Sequence, residues 1–130
     1  MENRGIKATV LVVDDLEDIG WIISKALTGR GYKVLIATSG GDAISKIKED
    51  KPSILILDIR LPDINGIELL KSIRKMNLNI KCIIITAYPT VHLRQEAKEL
   101  GVLEFISKPF KIDKLSRVVD LILHSNPADN

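Results

Sequence analysis

Five short runs in this chain are apolar at nearly every position, and that constrains the fold more than any other feature. They are Thr9 to Val13, Lys33 to Ile36, Ile54 to Leu57, Ile83 to Thr86 and Leu103 to Ile106. A strand with one face in water alternates apolar and polar residues. Runs without alternation, rich in Val and Ile, suit strands covered on both faces, as in a parallel sheet flanked by helices. The intervening segments have helical spacing instead. Ile19, Ile22/Ile23 and Ala26 recur at i, i+3/i+4 and i+7; Ala43 with Ile47, Ile67 with Leu70 and Ile73, Leu93 with Ala97 and Leu100, and Leu115 with Val118 and Ile122 follow the same rule.

Punctuation agrees with this division. Gly31 and Gly101 follow the first and fourth helical patterns, where a chain leaves a helix through the left-handed region, and Pro52 and Pro62 fall in connections. The expected fold is α/β, a doubly wound five-stranded parallel sheet with five helices. Short right-handed crossovers favour the flavodoxin-like strand order 2-1-3-4-5. Residues 1–124 are expected to form one domain, and residues 125–130, polar and containing Pro127, a frayed tail.

Composition removes several function classes. The formal net charge is +2 and the basic residues form no block, which gives no support to direct nucleic-acid binding. One Trp, two Tyr and two Phe are too few for a base-stacking platform. Cys82 is the sole cysteine and lies in an apolar run, where it reads as a buried thiol in a reducing compartment. With neither a signal-peptide core after Met1 nor an apolar stretch of about 18 residues, the expected location is the cytoplasm.

The informative polar residues are those that end the apolar strands. Asp14 and Asp15 end the first, Asp58 the third, Thr86 the fourth and Lys108 the fifth. In the order 2-1-3-4-5 these carboxyl ends are neighbours, so three carboxylates, a hydroxyl and an ammonium converge on one crevice, the edge where open α/β sheets bind ligands. Three packed carboxylates repel one another unless a cation intervenes. Mg²⁺, or Mn²⁺ in its place, would take their oxygens as ligands and keep some waters. Lys108 and Thr86 could then hold phosphoryl oxygens while the Asp58 carboxylate attacks phosphorus, because phosphoryl transfer asks mainly for positioning and charge neutralisation. Asp14 also stands where a helix N-cap would. His92 and His124 lack ligand spacing and read as solvated.

These residues resemble the signature of the two-component response-regulator receiver domain over essentially the whole chain. Leu11-Val12-Val13-Asp14-Asp15 is similar to the family's acidic pair, and Leu57-Asp58-Ile59-Arg60-Leu61-Pro62 with Asn65-Gly66 to its phosphorylation motif. Thr86-Ala87 resembles the switch hydroxyl and the small residue after it; Lys108-Pro109-Phe110 resembles the closing motif, with Phe105 at the place of the switch aromatic. The resemblance implies that Asp58 is the phosphoacceptor and that Asp15, Asp58 and the Arg60 main-chain carbonyl ligate the metal, with Asp14 acting through water. It implies that Thr86 and Phe105 move together, remodelling the face of the fourth helix, fifth strand and fifth helix. It also implies a Lys108-Pro109 bond that is often cis. Leu16, Pro89 and Val102 depart from the family's usual residues, and Pro89 should stiffen the loop it occupies.

The implied function is a phosphoacceptor signalling module, not an enzyme in the usual sense. Its partners would be a histidine kinase or phosphotransfer protein and a downstream protein, and it would be a monomer or a phosphorylation-linked dimer. Slow self-catalysed hydrolysis would release the phosphate. Trp21 falls about 200° from Ile19 on the first helix, off its apolar stripe, so Gly20 and Trp21 are expected on the donor-docking face. The chain ends just past the fifth helical pattern, which favours a stand-alone receiver over the receiver of a longer DNA-binding regulator. A scaffold that is never phosphorylated would lack part of the acid, Thr and Lys set. A haloacid-dehalogenase-type phosphatase needs Asp-x-Asp, a flavodoxin-like carrier a phosphate-binding loop in place of two acids, and a P-loop protein G-x-x-x-x-G-K-[ST]; none is present.

Overall fold

The computed structural model describes residues 7–76 and 79–124; the expected tail at 125–130 lies outside them. Elements alternate without exception: β1 (Thr9–Val13), α1 (Glu17–Thr28), β2 (Lys33–Ala37), α2 (Gly40–Asp50), β3 (Ile54–Asp58), α3 (Gly66–Lys75), β4 (Lys81–Thr86), α4 (Val91–Glu99), β5 (Glu104–Ser107) and α5 (Ile112–His124). All four strand pairings are parallel, and the order across the sheet is β2-β1-β3-β4-β5, as the sequence predicts. No described helix is long and apolar enough to cross a membrane.

Period-2 alternation along the central strands divides the core into two layers. Val10, Val12, Ile54, Ile56, Ile83 and Ile85 face α1 and α5. Leu11, Val13, Leu55, Leu57, Cys82 and Ile84 face α2, α3 and α4. Each such side chain is essentially inaccessible and contributes about 1.5–3 kcal/mol by leaving water. Burial pushes the Cys82 thiol up to about 12, so it packs as a small hydrophobe.

Edges behave differently from the centre. β2 and β5 are half-buried along most of their length, although their sequences resemble those of the central strands. Leu103, expected to open the fifth strand, precedes it and is exposed. The buried stripe of α1 also differs from expectation, for it consists of Gly20, Ile23 and Leu27, while Ile22 is 46% exposed. Gly20 explains the rotation. A Cβ there would lie 3.3 Å from the Ile36 side chain, so its absence lets α1 settle close on β2.

Helix ends follow the expected chemistry at Gly31 and Gly101, with φ of 100° and 80°. At each, two bonds close a Schellman motif: Tyr32 N–H to Leu27 O and Gly31 N–H to Thr28 O, then Val102 N–H to Ala97 O and Gly101 N–H to Lys98 O. Helix α2 ends in the left-handed region too, at Lys51 with φ 47°, a stop that a β-carbon-bearing residue does not advertise. Arg74 joins three elements, donating from Nε to Leu100 O at 3.0 Å and from Nη1 to Ile80 O at 2.7 Å.

Candidate functional site

Parallel pairing in register brings the ends of β1, β3 and β4 side by side, and the chain leaves each through a polar residue. Asp14 and Asp58 are almost fully buried, Asp15 is exposed, and all three can place a carboxylate oxygen within 4.8 Å of one another. Lys108, delivered by the turn after β5, reaches between them. Its Nζ lies 3.0 Å from Asp58 Oδ2 and 3.5 Å from Asp14 Oδ2. The Lys108 N–H donates to Thr86 O at 2.7 Å, and the Lys108-Pro109 peptide is cis.

Each carboxylate is oriented locally. Asp14 Oδ1 accepts the Leu16 N–H at 2.9 Å. This is an Asx-type turn and not the N-cap considered from sequence; α1 starts after Leu16, which supplies no side-chain cap. Asp58 Oδ1 accepts the Arg60 N–H at 3.2 Å. Behind it, Gly66 N–H donates to Ile59 O at 2.7 Å, and a Cβ on Gly66 would stand 2.6 Å from the Asp58 carbonyl oxygen. Glycine there is a steric requirement of the turn that presents Asp58.

Burial holds the Asp14 carboxyl above the usual carboxylate range. The Leu16 hydrogen bond opposes this, the Asp58 charge adds to it, and Lys108 offsets part. For Lys108, burial works against the ammonium, but the bond to Asp58 and the charges of Asp14 and Asp58 prevail and raise its pKa. Three carboxylates against one ammonium leave a formal excess of two negative charges. Among the described residues the Asp15 carboxylate has no hydrogen bond or ion pair. An oxygen-rich cluster of this charge, with one carboxylate unengaged, fits a hard divalent cation.

Thr86 is buried, and its Oγ1 accepts the Tyr88 N–H at 3.1 Å, leaving its proton to donate elsewhere. Phe105 is half-buried on β5, two strands from Asp58, with the Arg94 guanidinium 4.6 Å from its ring centroid. Gly20, expected with Trp21 on an exposed docking face, is instead buried on the inner face of α1 against Ile36; Trp21 is 61% exposed. On the same helix Ile19 and Ile22 line a 420 Å³ apolar cleft with Pro109 and Phe110.

Tyr88 went unrecognised in the sequence. With Asp15, Leu16, Asp58, Arg60, Thr86 and Lys108 it lines a 310 Å³ cleft above the carboxylates. The Arg60 guanidinium stacks on its ring at 4.1 Å. An aromatic residue two positions after the threonine was the only available signal, and it becomes informative only once the Arg60 loop faces it.

Residues 10–120 match the family model described as the response regulator receiver domain. Sporulation initiation phosphotransferase F of Bacillus subtilis is 36% identical over 110 residues, which are 85% of this chain and 89% of that protein. The transcriptional regulatory protein ZraR of Klebsiella oxytoca is 38% identical over 85% of this chain, which spans only 25% of ZraR. Among solved structures, a CheY-like response regulator receiver domain protein from Methanospirillum hungatei superposes with a TM-score of 0.86 at 28% identity, covering 94% of this chain and 98% of that one.

The electrostatics of the cluster have a measurable consequence. Because the folded pKa of Asp14 is raised, the native state binds more protons than the unfolded chain, and this group's contribution to stability falls as pH rises from the unfolded carboxylate range through the raised folded value. Asp14→Asn keeps an acceptor for the Leu16 N–H and removes the charge. It should raise stability at pH 7 and flatten the pH dependence, as read by urea unfolding without divalent ions. An unchanged pH profile would contradict this account.

Proposed function

The chain belongs to the response regulator receiver family, and on that premise we propose that Asp58 accepts a phosphoryl group from a phosphohistidine protein, with Mg²⁺ held by the acidic cluster. The observation that carries this reading is the Lys108 ammonium bridging Asp58 and Asp14 above an unengaged Asp15. It is a site with its countercharge in place and an excess of negative charge still to be met.

An Asp58 carboxylate oxygen attacks phosphorus, the P–N bond to the donor imidazole breaks, and the released electron pair takes up a proton on that ring. Asp15, Asp58 and the Arg60 carbonyl would ligate Mg²⁺ directly and Asp14 through water. The ion supplies neutralisation of charge on the phosphoryl oxygens. Lys108 exchanges its carboxylate contact for a phosphoryl oxygen, and Thr86 Oγ1 turns its proton toward another. Thr86 and Phe105 then shift together, a two-state change read by a downstream protein. Slow attack by water on phosphorus regenerates Asp58.

We assign this receiver to residues 1–124 and place it in the cytoplasm with its donor. A stand-alone phosphorelay protein is favoured by the near-complete span of the Bacillus phosphotransferase; the quarter-length match to ZraR supports the second reading, the receiver part of a DNA-binding regulator. Trp21, exposed on the helix whose Ile19 and Ile22 line the apolar cleft next to Lys108, is assigned to donor docking.

Incubation with MgCl₂ and acetyl phosphate should add one phosphate by intact mass. The gain should vanish in Asp58→Asn and with EDTA; no gain under any condition would sink the reading. Trp21→Ala should slow uptake from the cognate donor protein and leave uptake from acetyl phosphate unchanged. The Arg60–Tyr88 stack lies in the wall of the cleft above Asp58, where it would hinder the approach of water. Tyr88→Ala and Arg60→Ala should therefore each shorten the phosphate half-life by roughly two- to fivefold, the rate equivalent of about 0.5–1 kcal/mol for an exposed cation–π contact, and the double variant by no more. Additive effects would show that the two act separately.

A further inference from the structure

The loop from Ile59 to Asn65 carries the Arg60 backbone, which faces Asp58 through its N–H. At its base the loop is closed by the Gly66 N–H to Ile59 O bond and by an antiparallel bridge between Arg60 and Asn65. Its outer end is tied to another element altogether. Asp63 Oδ1 accepts the Gly40 N–H at 2.8 Å and Oδ2 accepts the Gly41 N–H at 3.0 Å, across 23 and 22 residues of sequence. Both donors belong to the first turn of α2, whose own N-cap, Ser39, already serves Asp42 N–H at 3.1 Å. Asp63 therefore completes the capping of α2 from outside its own segment, engaging the Gly40 and Gly41 N–H groups that Ser39 leaves over.

The seat is shaped as well as charged. A Cβ on Gly40 would fall 2.3 Å from the Ile64 Cγ2 methyl, so the loop packs onto the helix start only because residue 40 is glycine. The Gly40 hydrogen bond, then the Gly41 bond, holds the exposed Asp63 carboxyl below its usual range, as expected for a carboxylate on a helix N-terminus. Helix α2 is in turn fixed to the sheet through buried Ala43 and Ile47.

We propose that Asp63 is a positioning residue for the metal site: by pinning the Ile59–Asn65 loop to the start of α2, it sets where the Arg60 backbone stands relative to Asp58 and so tunes Mg²⁺ affinity. This rests on the metal reading above. Outer groups that orient metal ligands change affinity by roughly 10–100-fold when removed, and a two-bond pin acting at three residues' distance belongs at the lower end.

The test is titration of MgCl₂ into the unphosphorylated full chain, followed by calorimetry and by Trp21 emission, beside urea unfolding of the same variants. Asp63→Ala should weaken Mg²⁺ binding by roughly tenfold. Asp63→Asn, which keeps a carbonyl acceptor for one N–H, should fall between it and the unsubstituted protein and guards against a misfolded Ala variant. Ser39→Ala weakens α2 without touching the loop, so it should lower stability and leave Mg²⁺ affinity unchanged. Unchanged affinity in folded Asp63→Ala, or a loss in Ser39→Ala equal to that in Asp63→Ala, would overturn the proposal, since Asp63 would then be only a helix cap. No Mg²⁺ response in the unsubstituted protein would remove the metal reading itself, and the inference with it.

Discussion

The bridge from the Lys108 ammonium to Asp58 and Asp14 is the interaction on which the rest of this site depends. Two almost fully buried carboxylates at the ends of adjacent strands repel, and without a cation between them that edge of the sheet would be strained by its own charge. One ammonium relieves the repulsion only in part, which is why Asp14 still sits above the ordinary carboxylate range. The incomplete balance has a use. A site fully neutralised by its own side chains would attract no further cation, whereas this one retains an excess of negative charge beside a lysine shared between two carboxylates.

The fold supplies what the bridge needs. Parallel strands in register end at the same edge, so residues 14, 58, 86 and 108 become neighbours although the chain between them makes four crossovers. Gly66 permits the tight turn behind Asp58, and the Lys108 N–H to Thr86 O bond holds the lysine's backbone against the end of β4. These are backbone devices, and they leave the side chains at the edge free to be selected for chemistry.

Much of this was legible in the sequence, and the failures have physical causes. The central strands announce themselves because both faces are covered and every position must be apolar. β2 and β5 look the same in sequence yet are half-exposed, because edge position is a property of topology and leaves no mark on a strand of four or five residues. On α1 the period was right and the phase was wrong. A run containing Ile19, Ile22 and Ile23 fits more than one stripe, and Gly20, counted as a surface residue, decides between them by letting the helix approach Ile36. The acidic pair, Asp58, Thr86 and Lys108 were visible because polar residues are conspicuous at the ends of apolar runs. Tyr88 and Asp63 were not, since each acquires meaning from a partner far along the chain: Arg60 across the cleft, and the Gly40 and Gly41 N–H groups on α2.

The two loops that surround Asp58 lead into helices held with unequal strength, and this bears on how a change at the site would travel. α3 buries Ile67, Leu69, Leu70 and Ile73, and the loop before it is pinned to α2 through Asp63. α4 buries Ala97 alone, begins beside exposed Tyr88 and Val91, and is tied at its far end by the Arg74 guanidinium on Leu100 O. A displacement of Thr86 toward a phosphoryl oxygen would break its bond to the Tyr88 N–H and pull on the weakly packed helix, while the other loop stays fixed. Phe105 pairs in register with Ile84 on β4 and lies under Arg94 of α4, so the same displacement alters what covers its ring. The two sides of the cleft thus differ in packing: the loop before α3 is held at both ends, whereas α4 is lightly packed and has the fewer contacts to resist a displacement.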